Sequence, residues 1–541
     1  MTTTTRPGAP RLLHVIGETS PRDVGVETVG AKALNLMRMS EAGLPVPPAF
    51  VLATTLCRDY HQAGGSLREE ASELVAEGVR SLEQSTGRRF GGHRRPLLVA
   101  VRSGAAVSMP GMLETILNVG LCDDTLPGLL RATGDPVFVW DSYRRLIQSY
   151  AEVVEGCAPD LFAGVIDDAV VRQQVPTVAE LDVEMLRGVV SGMQDVYRQA
   201  AGHPFPQDPL DQLAGAVEAV LRSWNGARAV EYRTLQGLTD LLGTAVTVQS
   251  MVFGNVGVTS GSGVGFTRDP ATGEDRLYVD FLLNAQGEDV VAGRQAASDP
   301  DDLIAAIPGL AHELQVVRRR LEAIFQDAQD FEFTVEEGKL WLLQTRAATR
   351  TPLAALRVAC DLVDEELIDT ATAIRRLRQY DLEGIKEVRL VDPEQTEALA
   401  RGTPAGSGVA TGRVALSVEA ARQLADAGET VVLVRDEAST DDISGLAVCR
   451  ALVTATGART SHAAVVARQL GVVCIVGCSD LAVDLDKRRI RLGRLELGEE
   501  SHVTVDGGTG LVYPGELPVE VDRPDQLLGR VRTWEAAAQP A

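Results

Sequence analysis

No stretch of the sequence approaches the roughly 18 apolar residues of a membrane-crossing helix, and the opening MTTTTRPGAPRLLHVIG lacks the sustained apolar region of a secretory signal. A membrane is therefore not an expected partner. Cysteine is sparse: seven in 541 residues, an odd number, with Cys57, Cys122, Cys157 and Cys360 widely scattered. That does not resemble a disulfide framework and suits a reducing cytoplasm. Cys474 and Cys478 form a C-x3-C pair with no second Cys/His pair nearby, so buried strand-end thiols fit them better than half a metal site. No Walker A motif is present, because Gly25-x4-Gly30 is followed by Ala31-Lys32, and no well-placed GxGxxG occurs. P-loop and Rossmann nucleotide binding are both disfavoured. Positive charge is also short: 52 Lys+Arg against 75 Asp+Glu leaves a net −23, which works against nucleic acid as a partner. Any phosphate must be held by local cations and backbone amides.

What is present is material for several ordinary cores, with 45% hydrophobic and 23% charged residues. At about 100–200 residues per domain, the length predicts a multidomain chain. Apolar residues at helical spacing predict a helix from Ala31 to Ala42, stopped by Leu44-Pro45-Val46-Pro47-Pro48, with a short strand at Phe50-Val51-Leu52. A β-type run from Pro96 to Val101 leads into Arg102-Ser103-Gly104 and a loop around Ser108-Met109-Pro110-Gly111-Met112. Residues 135–240 read as mostly helical, and Thr244 to Arg346 as a β-rich block with alternation at Ala245–Gln249. A helical connector follows at 353–390, and then a Gly/Ala/Ser-rich entry opens a compact β/α unit. The expected class is α/β (α+β, multidomain). The expected divisions are 1–352 with a helical part at about 120–200, a linker at 353–398, a smaller domain at 399–517 and a tail at 518–541.

Three constellations carry chemistry. Thr460-Ser461-His462-Ala463-Ala464 follows a strand and a glycine, so a Thr or Ser N-cap places His462 in the first turn of a helix. The positive end of the dipole keeps that imidazole neutral and favours an attached anion, which suits a phosphohistidine. A histidine that merely packs or caps would look the same. Asp330 and Glu332 lie two apart on one predicted strand, and Gln344 and Arg346 two apart on the next, so each pair shares a face. Carboxylates beside an amide and a guanidinium suit a magnesium–nucleotide site, although a solvated sheet face with one ion pair is the plainer alternative. Lys32, Arg102 and Arg145 are candidate phosphate-binding cations, with the loop from Ser103 to Gly111 offering backbone amides.

These residues sit in longer segments that resemble the pyruvate phosphate dikinase family, whose phosphohistidine domain is shared with phosphoenolpyruvate synthase. The resemblance runs through GAKALNLMRMSEAGLPVPPAF (30–50), VAVRSGAAVSMPGMLETILNVGL (99–121), DSYRRLIQSY (141–150), GTAVTVQSMVFGN (243–255), GVGFTRDPATGE (263–274), LLNAQGEDVVAG (282–293), DFEFTVEEGKLWLLQTR (330–346) and TSHAAVVAR (460–468). It implies an ATP-grasp nucleotide region and a swivelling phosphohistidine domain. It also implies ATP and Mg2+ as cofactors and inorganic phosphate as co-substrate. Lys32 and Arg102 would contact ATP phosphates, Arg145 would serve phosphate, and Glu332, Gln344 and Asp330 would lie at the metal–nucleotide site with Arg346. The phosphoryl group would move from ATP to His462 with release of AMP and pyrophosphate.

The sequence departs from the family pattern at Pro404-Ala405-Gly406-Ser407-Gly408, at Ala347-Ala348, and at Gly457-Ala458-Arg459-Thr460-Ser461-His462, where Arg459 adds a cation beside the histidine. The family's (β/α)8 barrel needs about 250 residues, for which the segment after residue 517 has no room. The expectation is therefore a dikinase-like phosphotransferase whose acceptor, pyruvate or another, is bound outside this chain, on a separate barrel subunit or on a different partner. A small-molecule acceptor bound directly, a non-catalytic phosphocarrier and a homodimer stay open.

Overall fold

The computed structural model describes residues 11–67, 69–107, 109, 114–235, 237–238, 240–291, 307–438, 442–457, 459 and 461–538. For Leu235, Glu288, Val291, Ile443, Ser444, His462 and Gln469 it describes the backbone alone. The chain divides into two compact units, one of Met1–Gly257 with Trp341–Gln344, the other of Val258–Leu340 with Thr345–Ala541.

The first unit is built on an antiparallel sheet of five strands in the order Leu13–Val15, Ala49–Leu52, Ala245–Ser250, Val99–Gly104, Thr115–Val119. The run at Ala245–Ser250, expected to open the β-rich block, is instead the central strand here. All six of its residues are buried, including Thr247 and Gln249. Helices enclose the sheet where the sequence read as helical. Asp135, Asp182 and Asp208 cap three of them by accepting hydrogen bonds from the amides of Phe138, Met185 and Leu210, and Pro136 and Pro209 open two of them. Phe50, Val101, Ile116, Tyr143, Leu146, Val217 and Val248 belong to the resulting core.

The second unit contains the antiparallel strands Gln329–Glu336, Gly261–Phe266 and Tyr278–Leu283, paired in that order. Gly261, Gly263 and Gly265 alternate along one strand face. A Cβ on them would fall 2.2, 2.5 and 2.3 Å from the rings of Phe281, Phe333 and Phe331, so the missing side chains make room for the aromatic layer. The block expected to be β-rich also holds a helix, Leu310–Phe325, whose Leu310, Leu314, Val317 and Leu321 are buried at helical spacing. Arg268, 1% exposed, joins Glu322 of that helix to Asp361 and Glu365 of the following one.

The same unit carries an eight-stranded sheet in the order Ala400–Arg401, Leu511–Pro514, His502–Asp506, Val409–Ala415, Val431–Arg435, Ala451–Thr454, Val473–Val476, Thr403–Gly406. Its middle strands are parallel, as the β/α pattern predicts. The expected connector is helical at Pro352–Asp364 and Thr370–Leu377 and then becomes a strand, Glu387–Leu390. That strand pairs antiparallel with Val519–Asp522 from the stretch expected to be a tail. A final helix, Asp525–Ala538, places Leu528 and Val531 in one core cluster with Leu356, Cys360 and Leu377.

All seven cysteines are free, and Cys474 and Cys478 are fully buried at the end of a strand, with their thiols pushed by burial to about 12 and about 11. They behave as packing groups. Among the described residues, no helix is long and apolar enough to cross a membrane.

Candidate functional site

In the first unit, the helix Val26–Glu41 is broken at Gly30, whose φ of 76° and ψ of 160° lie outside the helical region. The break lets the chain touch the end of the strand Val99–Gly104: the amide of Ala31 donates to the carbonyl of Ala105 at 2.9 Å, and Lys32 begins the continuous helix beside that strand end. A Cβ on Gly30 would stand 2.2 Å from the carbonyl oxygen of Gly104. Gly30→Ala therefore combines a forbidden backbone angle with a backbone clash. It is expected to destabilise the first unit by about 3 kcal/mol or more, read as a lower midpoint of thermal or urea unfolding.

Arg102 leaves the same strand two residues before Gly104. One guanidinium nitrogen, Nη1, donates to the carbonyl of Leu343 at 3.2 Å and to Oε1 of Gln249 at 3.4 Å. Gln249 lies two residues along the neighbouring strand from Thr247, the partner of Arg102, and so shares its face. Arg145 sits on the helix Pro136–Tyr150, where its Nε donates to Asp141 at 2.7 Å, while Arg144 takes the other carboxylate oxygen at 2.7 Å. Burial raises the Asp141 carboxyl, but the charges of Arg144 and Arg145 outweigh it and hold it below its ordinary value. Gln344 also belongs to this unit and is buried. Of the loop expected to supply amides, residues 108 and 110–111 lie outside the described residues.

In the second unit, the strand Gln329–Glu336 carries Asp330 and Glu332 at alternate positions, paired with Phe266 and Val264. Asp330 is 6% exposed, whereas Glu332 is partly open. Nε of Arg346 donates to both Asp330 oxygens, at 2.9 and 2.8 Å, and the arginine side chain is otherwise half exposed. Burial pushes the Asp330 carboxyl up from 3.8 to about 6, opposed chiefly by the charge and hydrogen bond of Arg346. The Asp330 charge in turn holds Arg346 above its ordinary value. The predicted face is thus real, and one end of it is an ion pair.

His462 is the first residue of the helix His462–Gln469, capped by Ser461, whose Oγ accepts from the amide of Ala464 at 3.3 Å. Ala463, Ala464 and Ala467 are buried, so small residues let the helix lie close to its sheet. Arg468, 1% exposed, donates to the carbonyl of Ala405 at 3.2 and 3.1 Å and to the carbonyl of Arg459 at 3.2 Å, fixing the turn before the helix. Residues 458 and 460 of that turn lie outside the described residues. The sequence reading missed Asp141 and Gln249. Asp141 stands three and four residues before two arginines, a helical ion-pair spacing that was available locally. Gln249 had no such signal, since its role depends on a strand pairing about 150 residues away in sequence.

Residues 67–310 match the AMP/ATP-binding domain of pyruvate phosphate dikinase, and residues 427–510 match the mobile domain of PEP-utilising enzymes. The chain is 40% identical over 514 residues to pyruvate, phosphate dikinase of Clostridium symbiosum, covering 94% of this chain and 58% of that protein. It is 40% identical over 525 residues to that of Rhizobium meliloti (strain 1021), with 95% and 58% covered. Pyruvate, phosphate dikinase 1, chloroplastic, of Arabidopsis thaliana is 41% identical over 490 residues, with 90% and 51% covered. The chain spans between 51% and 58% of the length of these curated relatives. The chain thus combines an α/β architecture with matches to the AMP/ATP-binding domain of pyruvate phosphate dikinase and the mobile domain of PEP-utilising enzymes, and is similar to pyruvate, phosphate dikinases over 90–95% of its own length.

Proposed function

We propose that the chain carries out the nucleotide half of a dikinase reaction. ATP phosphorylates His462, AMP leaves, and the terminal phosphoryl group passes to inorganic phosphate as pyrophosphate. The phosphohistidine then serves an acceptor, pyruvate or another, held outside these 541 residues. The observation that carries this reading is His462 opening a Ser-capped, alanine-rich helix, whose first-turn amides favour the phosphoryl group it receives. We assign Lys32 and Arg102 to the ATP phosphates, Arg145 to phosphate, and Arg346 to the charge that develops during transfer. Phosphoryl transfer needs positioning and charge neutralisation more than covalent help, and these residue types supply both. The free cysteines fit a reducing cytoplasm.

Asp330, Glu332 and Gln344 offer the hard oxygen donors that Mg2+ takes. A cation shared with nucleotide phosphates takes only one or two protein carboxylates, which is the number these strands offer. Bound there, Mg2+ would neutralise phosphate charge.

ATP labelled separately at the β and γ positions, with and without phosphate, tests the reading. Acid-labile β-label retained on the protein, with AMP released, is the expected result; no retained label and no AMP would overturn it. The pH dependence follows from Asp330. Its carboxylate must be ionised to hold Arg346, so loading of His462 is expected to fall about tenfold between pH 7 and pH 5, with Asp330→Asn slower and flatter over that range. Stability moves the other way. A carboxyl raised to about 6 binds its proton more tightly folded than unfolded, so its contribution grows as pH falls from about 6 toward 4. Loading assays and denaturant titrations across the same range separate the two.

A further inference from the structure

Within the second unit, the turn before His462 meets the strand Tyr278–Leu283 through Arg459. Its Nε stands 3.4 Å from Oδ1 of Asp280, and its guanidinium carbon lies 4.2 Å from the centre of the Tyr278 ring. Two hydrogen bonds cross the same seam: the Tyr278 hydroxyl donates to the carbonyl of Pro404 at 2.8 Å, and Ser407 Oγ donates to the carbonyl of Ala271 at 3.3 Å.

Asp280 is 1% exposed, and its Oδ2 has no hydrogen-bond partner. A buried carboxylate answered by one cation at 3.4 Å depends strongly on that cation. Burial pushes the Asp280 carboxyl up to about 6 against the pull of Arg459 and Arg468, which leaves it charged at neutral pH. Arg468 also approaches this sheet, its guanidinium carbon 5.5 Å from the centre of the Phe266 ring, but its hydrogen bonds go to the carbonyls of Ala405 and Arg459, so Arg459 is the cation paired with Asp280.

We propose that Arg459 is a positioning residue: by pairing with Asp280 and lying on Tyr278, it latches the turn that leads into His462 onto the strand Tyr278–Leu283 and so fixes the station at which His462 is loaded. The proposal rests on the reading of His462 as the phosphoryl carrier. Arg459 stands in the turn three residues before the histidine. A planar guanidinium suits the task because it offers charge to the carboxylate and a face to the ring at once. Methionine offers neither, and lysine offers only the charge.

The test compares the wild type with Arg459→Met, Arg459→Lys, the single replacements Asp280→Arg and Arg459→Asp, and the exchanged pair Asp280→Arg/Arg459→Asp. Backbone hydrogen exchange of the segments 278–283 and 403–408 reads docking without any need for activity. Single-turnover loading with β-labelled ATP, beside the dissociation constant for ATP, reads positioning. Arg459→Met is expected to speed exchange in both segments about tenfold and to slow loading about tenfold or more at unchanged ATP affinity. Arg459→Lys should recover part of both effects, and the exchanged pair should exceed either single replacement. If Arg459→Met does not fold, Arg459→Met/Asp280→Asn removes the stranded charge and is measured in its place. Wild-type protection in Arg459→Met, or an exchanged pair no better than the singles, overturns the latch. Failure of the wild type to retain label overturns the carrier reading instead, and hydrogen exchange still decides the latch.

Discussion

Replacing His462 by alanine is expected to remove retained β-label entirely, a loss of at least about 10⁴-fold, while ATP affinity stays within about twofold. The fold has no reason to suffer. Alanine is a good helix former at the first helical position, and the cap between Ser461 and the Ala464 amide does not involve the histidine side chain. Unfolding midpoints should therefore match the wild type, and AMP formation should cease with the label. A His462→Ala chain that still retained acid-labile phosphate would place the carrier on another residue and end this assignment.

The second large effect is expected at Arg346. Arg346→Met removes the cation that both oxygens of Asp330 share and is expected to slow loading by about 10²–10³-fold, the cost typical of deleting one preorganised electrostatic contact. Part of that loss is indirect. Asp330 is 6% exposed, and without its partner it takes up a proton at neutral pH and ceases to be a carboxylate. Arg346→Lys keeps the charge but not the planar guanidinium, so it should recover only a fraction of the rate. Asp330→Asn, which removes the carboxylate and keeps the guanidinium, separates the causes: if it slows loading far less than Arg346→Met, the direct contribution of the guanidinium dominates. Rapid-quench loading at saturating ATP measures all four chains.

The chemistry-bearing residues were legible where their signals are local. The Ser461 cap placed His462 on a helix before any coordinates, and the period of two placed Asp330 and Glu332 on one face. Composition along the chain also located the β/α unit, whose parallel strands Val431–Arg435, Ala451–Thr454 and Val473–Val476 fall on its apolar runs. Non-local facts were not legible. Ala245–Ser250 reads as alternating, yet all six of its residues are buried, because strands from much earlier in the chain flank its edges and the helices Val26–Glu41, Thr54–Gln62 and Pro209–Ser223 pack on it. The helix Leu310–Phe325 had its periodic signal in Leu310, Leu314, Val317 and Leu321, and the strands around it drew the whole block toward β. The pairing of Arg459 with Asp280 joins residues about 180 apart in sequence, which no local pattern encodes.

The antiparallel ribbon of Glu387–Leu390 and Val519–Asp522 has a mechanical consequence. Everything between these strands, including His462, enters and leaves through four facing residue pairs, Glu387 with Asp522 to Leu390 with Val519. Such a mount resists pulling, because separation breaks backbone hydrogen bonds together, but it yields to twisting, the soft deformation of a two-stranded ribbon. Its far end is moored by the Asp525–Ala538 helix, through Leu528 and Val531 and through ion pairs from Arg530 to Asp364 and from Arg523 and Arg532 to Glu383. If His462 is the phosphoryl carrier proposed above, it would be hung like a door on one pin rather than tied by a cord, and any travel would be an arc about this ribbon.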